Sequence, residues 1–129
     1  MSFKEVNPSE LNMNPFTTIG KDWLLITAGN EEKCNTMTAS WGAMGVMWGK
    51  NAVTVYIRPQ RYTKEFVDRE DTFTISVLGK DYRKALNYCG TVSGKGSDKI
   101  IDNTTPNKMA LMVPLSLVST IPNNAVAGN

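Results

Sequence analysis

Hydrophobic and polar residues alternate over short runs in this chain, at a spacing that suits strands more often than helices. Trp23 to Ala28 (WLLITA) is a short apolar run that ends at Gly29-Asn30. Its length and β-branched content predict a buried strand. A polar turn from Gly29 to Lys33 leads into Cys34 to Trp41 (CNTMTASW), so the two runs predict a β-hairpin. Gly42, Gly45 and Gly49 punctuate the next stretch. Glycine that dense is poor in regular structure, and it predicts a place where the backbone bends or lets something approach. Asn51 to Ile57 predicts a strand, which Arg58-Pro59-Gln60 ends because proline has no N–H for a ladder.

Further along, Thr63 to Asp68 predicts a short helix, with Thr63 as N-cap and Phe66 and Val67 buried. Thr72 to Leu78 alternates as a strand, with Phe73, Ile75 and Val77 on one face. Asp81 to Cys89 predicts a second helix, with Tyr82, Ala85, Leu86 and Cys89 along one side. Gly90 to Lys99 reads as a glycine-serine loop, and Lys108 to Val118 is apolar without a clear period. Residues 1–21, polar and holding Pro8 and Pro15, predict an arm with a short turn or strand at its end. Trp23 and Trp48 are expected in the core or an interface, and the methionines as gap-fillers. Short strands with two small helices predict an α+β, mainly β protein built as a small barrel.

Composition narrows the chemistry. The 129 residues suffice for one domain over 1–129, and 41% hydrophobic with 20% charged residues is ordinary globular usage. A formal charge of +2 is too small to argue for a nucleic-acid or membrane-surface partner. No run approaches the roughly 20 apolar residues of a membrane helix. The opening MSFKEVNPSE lacks the apolar run of a signal peptide, so a cytoplasmic location is expected. Cys34 and Cys89 lack CxxC spacing and are expected as packed thiols. Histidine is absent, which excludes Ser-His-Asp and Cys-His catalysis and any histidine-ligated metal. No metal site and no catalytic acid or base is expected. An enzyme with this composition takes its reactive group from a cofactor.

Three segments carry candidate chemistry. Asn35 to Gly42 offers three hydroxyls and a tryptophan on a strand; taken alone it also reads as a strand with a polar face. Arg58-Pro59-Gln60-Arg61-Tyr62-Thr63-Lys64 sits at a strand-to-helix turn. Unpaired N–H groups and arginines there make an anion site that suits phosphate, or else a solvated basic turn. Ser93 to Lys99 is a glycine-serine loop with two lysines. Together they supply what a planar heterocycle with a phosphate tail needs: a flat slot, hydroxyls and an anion clamp.

NTMTASWG, RPQRYTKEF, TFTISVL and YRKALNYCGTVSGKGSDK, in that order, resemble the flavin reductase-like, FMN-binding split-barrel family, flavoredoxin-type members above all. The resemblance covers roughly residues 1–99. It implies a six-stranded Greek-key split β-barrel with short flanking helices. It also implies a homodimer with FMN at the interface. Thr36, Met37, Thr38, Ala39, Ser40 and Trp41 would line the flavin ring. Arg58, Gln60, Arg61, Tyr62 and Thr63 would hold the phosphate and ribityl chain. The loop from Cys89 to Lys99 would close nearby, with Ser93 and Gly94 in contact. The chain departs from the family at Val92, where a histidine is common, and at Lys95, where an arginine is usual.

The implied activity is oxidoreduction: NADH or NADPH would reduce bound FMN, which passes electrons to a flavin, an iron complex or a protein. An FMN-binding electron carrier without NAD(P)H activity, or a non-catalytic remnant, is the alternative. The same barrel serves pyridoxamine phosphate oxidases and haem-binding relatives, but the TxTASW and RPxRYT pair favours the flavin reductase branch. From about residue 100 to 129 the family pattern is lost, and no charged residue follows Lys108. That end is expected to be atypical or truncated, as a frameshift would make it.

Overall fold

β1 (Leu24–Gly29) and β2 (Cys34–Ala39) form the antiparallel hairpin that the alternation predicts, in a register running from Leu24↔Ala39 to Gly29↔Cys34. Leu24, Ile26 and Ala28 alternate inward along β1, as a half-buried strand requires. The computed structural model describes residues 5–97, Lys99 and 112–115. Its remaining strands are β3 (Gly42–Met47), β4 (Lys50–Val55), β5 (Phe73–Ser76) and β6 (Met112–Leu115). β5 pairs antiparallel with β1 on one side and with β6 on the other. The result is a four-stranded sheet in the order β2-β1-β5-β6 and a separate two-stranded sheet of β3 and β4. Pro114 lies in β6 at the sheet edge, where a missing N–H is tolerated.

This is a mixed α/β architecture with several strands and few helices, and among the described residues the two sheets do not close into the expected six-stranded barrel. The chain passes between them at Ser40 and Trp41, the two residues separating β2 from β3. Tyr56 N–H, just past β4, donates to Trp41 O at 3.5 Å and so fixes the corner.

Among the described residues three α-helices flank the strands. α1 (Pro15–Thr17) is a single turn that continues into a wider helical turn, Thr18–Asp22. Residues 5–17 are exposed or half-buried, and the turn expected at the end of this arm is helical. Asn7 and Asn14 cap successive turns with their side chains, each followed directly by a proline, and Thr18 and Ile19 are buried. α2 (Tyr62–Arg69) packs on β1 and β2 through Phe66 and Val67. α3 (Arg83–Thr91) packs on β2 and buries Leu86 and Cys89, while Tyr82 and Ala85 are only half-buried. The core joins Leu24, Ile26, Met37, Phe66, Phe73 and Ile75.

One further expectation changes. The glycine-dense stretch is not irregular: it is strand β3, turned by Trp48-Gly49. Both turn residues have positive φ, 49° and 72°, the left-handed geometry whose twist suits a two-residue hairpin. Trp48 is 82% exposed at that tip and belongs to no core. Trp23, at φ 72°, is clamped by the Arg83 guanidinium 3.3 Å from its ring, while Arg83 donates to Lys21 O at 2.7 Å. Apart from β6, the tail expected to be atypical lies outside the described residues.

Phe66 is 2% exposed, beneath Tyr62 in an edge-on ring contact at 5.0 Å. Phe66→Ala is expected to lower stability by about 3–5 kcal/mol, read as a shifted urea midpoint at constant slope.

Candidate functional site

The corner between the sheets is also where the candidate residues meet. A cleft of about 170 Å³ is lined by Met37, Thr38, Ala39, Ser40, Trp41, Tyr56, Arg58 and Arg61. The end of β2 forms one wall, the residue after β4 another, and the turn into α2 a third. Seven predicted residues thus converge there: Met37 to Trp41 in sequence, with Arg58 and Arg61. A larger open cleft of about 800 Å³, lined among others by Val77, Leu78, Arg83 and Leu86, holds none of the predicted residues.

The polar groups of the cleft have definite assignments. Thr38 Oγ1 donates to Leu86 O in α3, so its hydroxyl faces a ligand only as an acceptor. Ser40 Oγ makes no hydrogen bond among the described residues and keeps both capacities. Trp41 is 58% exposed, with the Arg58 guanidinium 5.9 Å from its ring centre. Arg61 is the N-cap residue of α2, yet its side chain reaches the far end of α3. Nη1 donates to Gly90 O at 2.9 Å and Nη2 to Cys89 O at 3.4 Å. Burial, and then the charge of Arg58, hold its guanidinium below the ordinary arginine range.

The other predicted residues lie elsewhere. Thr36 is buried, its hydroxyl donating to Ile26 O at 3.1 Å and meeting the Thr27 hydroxyl at 2.9 Å. Thr63 does not cap α2. It lies inside the first turn, 1% exposed, and its hydroxyl accepts from Asn35 Nδ2 at 2.8 Å. Gln60 is exposed, outside the cleft lining. The Tyr62 ring packs on Phe66 and faces Lys33 and Lys95 at 5.8 and 5.4 Å. Ser93 Oγ accepts from Lys95 N–H at 3.3 Å. Gly94 lies against Asn35, where a Cβ would come 2.0 Å from Oδ1, so any larger residue would have to displace the Asn35 side chain.

Three further residues contribute: Tyr56, which the sequence does not single out, and Asn35 and Lys99, which fall in candidate segments without being assigned to the cofactor. Tyr56 lines the cleft although the strand pattern marks it only as the end of β4. Asn35 ties β2 to α2. Lys99, in a loop that reads as polar and structureless, is 3% exposed and donates to Thr36 O at 3.1 Å and Cys89 O at 2.9 Å. Burial, and then Arg61, hold its ammonium below the ordinary lysine range, against a smaller opposite pull from Cys89. Burial pushes the Cys89 thiol up, with Lys99 opposing. Among the described residues no cluster of ligand side chains suits a metal ion, and no helix is long and apolar enough to cross a membrane.

Most of the chain, residues 17–119, matches the family described as flavin reductase like domain. That match runs past residue 99, where the sequence resemblance ended. Flavoredoxin from Methanosarcina acetivorans is 27% identical over 60% of this chain and 41% of its own, with a TM-score of 0.55. Flavoredoxin of Desulfovibrio vulgaris (Miyazaki F) is 23% identical over 72% of this chain and 52% of its own, at 0.57. An FMN-binding protein from Thermus thermophilus, with bound 1-cyclohex-2-enone, is 20% identical over 78% of this chain and 55% of its own, at 0.59. The chain thus spans 41–55% of the length of these three structures. No curated protein matches it.

Cys34 is exposed and Cys89 buried with a raised pKa. Ellman's reagent is expected to titrate one thiol per native chain at neutral pH and both of the two only after unfolding.

Proposed function

Because this chain belongs to the flavin reductase-like domain family, we propose that its cleft binds FMN and that the protein is an oxidoreductase reducing that flavin with NADH or NADPH. The observation that carries this reading is the convergence of Thr38, Ser40 and Trp41 with Arg58 and Arg61 at one corner of the fold. The donor set fits the cofactor. Ser40 can donate to or accept from the polar edge of the ring, and Thr38 can accept from a ring N–H. Ala39 leaves room for a flat face. Arg58 and Arg61 stand in the turn leading into α2, where a phosphate gains from their charge and from the helix N-terminus. FMN, when bound, supplies hydride acceptance and electron transfer; the protein binds, orients and shields. Among the eight lining residues none is a carboxylate, histidine, cysteine or lysine, so no side-chain proton transfer is assigned.

We also read the cleft as half of a site. At about 170 Å³ it is smaller than the ~300–1,000 Å³ of sites that enclose a ligand, so one protomer offers a wall, not an enclosure. Trp41, Val46, Trp48 and Tyr56 are all more than half exposed on the β3–β4 hairpin and its flanks, beside that wall. A second copy of the chain covering this apolar face would complete both the site and the split barrel. The electron acceptor, a free flavin, an iron complex or a protein, would then reach the flavin from the side left open.

FMN added to the purified protein is expected to stay with it through gel filtration, with a shifted visible band. Stopped-flow mixing with NADH or NADPH should then bleach that band. Retention without bleaching would leave an electron carrier, and no retention would remove the flavin reading altogether. Trp48→Asp is expected to halve the mass seen by light scattering and to loosen FMN about tenfold or more.

A further inference from the structure

The larger cleft, of about 800 Å³, takes no part in the flavin reading, yet its size lies within the ~300–1,000 Å³ of sites that enclose a small molecule. Its floor and rim differ in chemistry. Leu78 and Leu86 are buried and give it an apolar floor. Lys21, Lys80 and Arg83 are exposed and give it a rim of three cations, against the single carboxylate of Asp22. One corner of the cleft is also strained. Trp23 follows the wide turn Thr18–Asp22, and its backbone, at φ 72° and ψ 159°, occupies a region that glycine alone adopts readily. Such strain persists only where neighbours over-determine it, and it gathers at binding sites. Here the neighbour is Arg83, whose guanidinium lies 3.3 Å from the Trp23 ring centre and donates to Lys21 O at 2.7 Å. Those two contacts fix the guanidinium at the cleft. Among the described residues Lys21 O is the one acceptor it meets, so most of its five N–H donors remain for a ligand.

We propose that this cleft is a second ligand site, for a small organic anion with an apolar body and a carboxylate, sulfonate or phosphate head. The body lies on Leu78 and Leu86. The pre-positioned Arg83 takes the head, and Lys21 and Lys80 add charge beside it. The proposal does not rest on the FMN reading, since the two clefts share no lining residue among those described. Leu86 connects them: its side chain lines this cleft, and its carbonyl accepts from the Thr38 hydroxyl of the other.

Two fluorescent probes titrated into the full chain test this: anilinonaphthalene sulfonate, and phenylnaphthylamine, the same aromatic body without the sulfonate. The sulfonate is expected to bind saturably and to stay bound when FMN is added in excess. Lys21→Gln combined with Lys80→Gln changes only exposed side chains, and Lys21 keeps the backbone carbonyl that holds Arg83. This double variant is expected to weaken the sulfonate about fivefold or more and the uncharged probe less than about twofold. Added salt should likewise weaken the sulfonate and spare the uncharged probe. Should the double variant fail to fold by circular dichroism, Lys80→Gln alone is titrated in the same way. Equal losses for the two probes, or no loss for either, would show adsorption to an apolar surface and overturn the proposal. Displacement of the sulfonate by FMN would place it in the flavin cleft and overturn it too, as would the lack of any saturable binding.

Discussion

A helix cannot bury its last carbonyls without donors to meet them, and the end of α3 obtains most of its donors from the cleft. Leu86 O accepts from Thr38 Oγ1 of β2. Cys89 O accepts from Arg61 and Lys99, and Gly90 O from Arg61. Asn87 O accepts from Thr91 Oγ1, and Tyr88 O from the Val92 N–H of the cap. The negative end of the α3 dipole is thereby covered by two cations, the favourable sign for a helix C-terminus. Satisfying that helix end therefore fixes the cleft wall, the cap residue of α2 and the far end of the glycine loop at once. Several charge-assisted bonds each worth roughly 1.5–3 kcal/mol are comparable to the whole stability of a small domain.

The same arrangement shapes the electrostatics. Arg61 spends two guanidinium donors on α3 and still lines the cleft, so its planar head is held in one orientation instead of sweeping solvent. That is the condition under which an arginine recognises an anion at small entropic cost. Arg58 has no such anchor beyond its approach to the Trp41 ring and remains at the surface. The two arginines that look equivalent in RPQRY are therefore different devices. One is anchored to α3, and the other lies exposed beside the Trp41 ring.

Local patterns carried much of this architecture in readable form. The β1–β2 hairpin, β4, β5 and the buried faces of α2 and α3 follow from alternation and from turn residues, because each is decided by neighbours in sequence. The failures have a common cause, which is that a residue's use was decided by something distant. Thr63 has the composition of a cap, but Asn35, 28 residues away, claims its hydroxyl. Thr36 belongs to the lining motif, yet its hydroxyl is engaged by Ile26 O and the Thr27 hydroxyl of the neighbouring strand. The glycines of β3 disfavour a strand in isolation, and pairing with β4 across a left-handed turn overrides them. Lys99 sits in a stretch with every mark of a solvated loop. Nothing in its own neighbourhood shows that two carbonyls, one 10 and one 63 residues away, will bury it.

Two independent demands fall on the short span Ser40-Trp41. As the link from β2 to β3 it must carry the chain from one sheet to the other, and as part of the cleft it must present a hydroxyl and an indole. Sheet corners leave side chains without the cross-strand neighbours that a regular ladder provides. That is why Ser40 has no partner among the described residues and Trp41 keeps more than half its surface open. The exposure is a consequence of the topology before it is a feature of any ligand site. A flat ligand laid against this corner meets groups already stripped of protein partners, so it displaces water and breaks no internal bond. The anchored end of α3 holds the opposite side still. A rigid charged wall facing an unpaired polar corner is a better binding site than either surface alone, and the fold produces the pair from a single constraint.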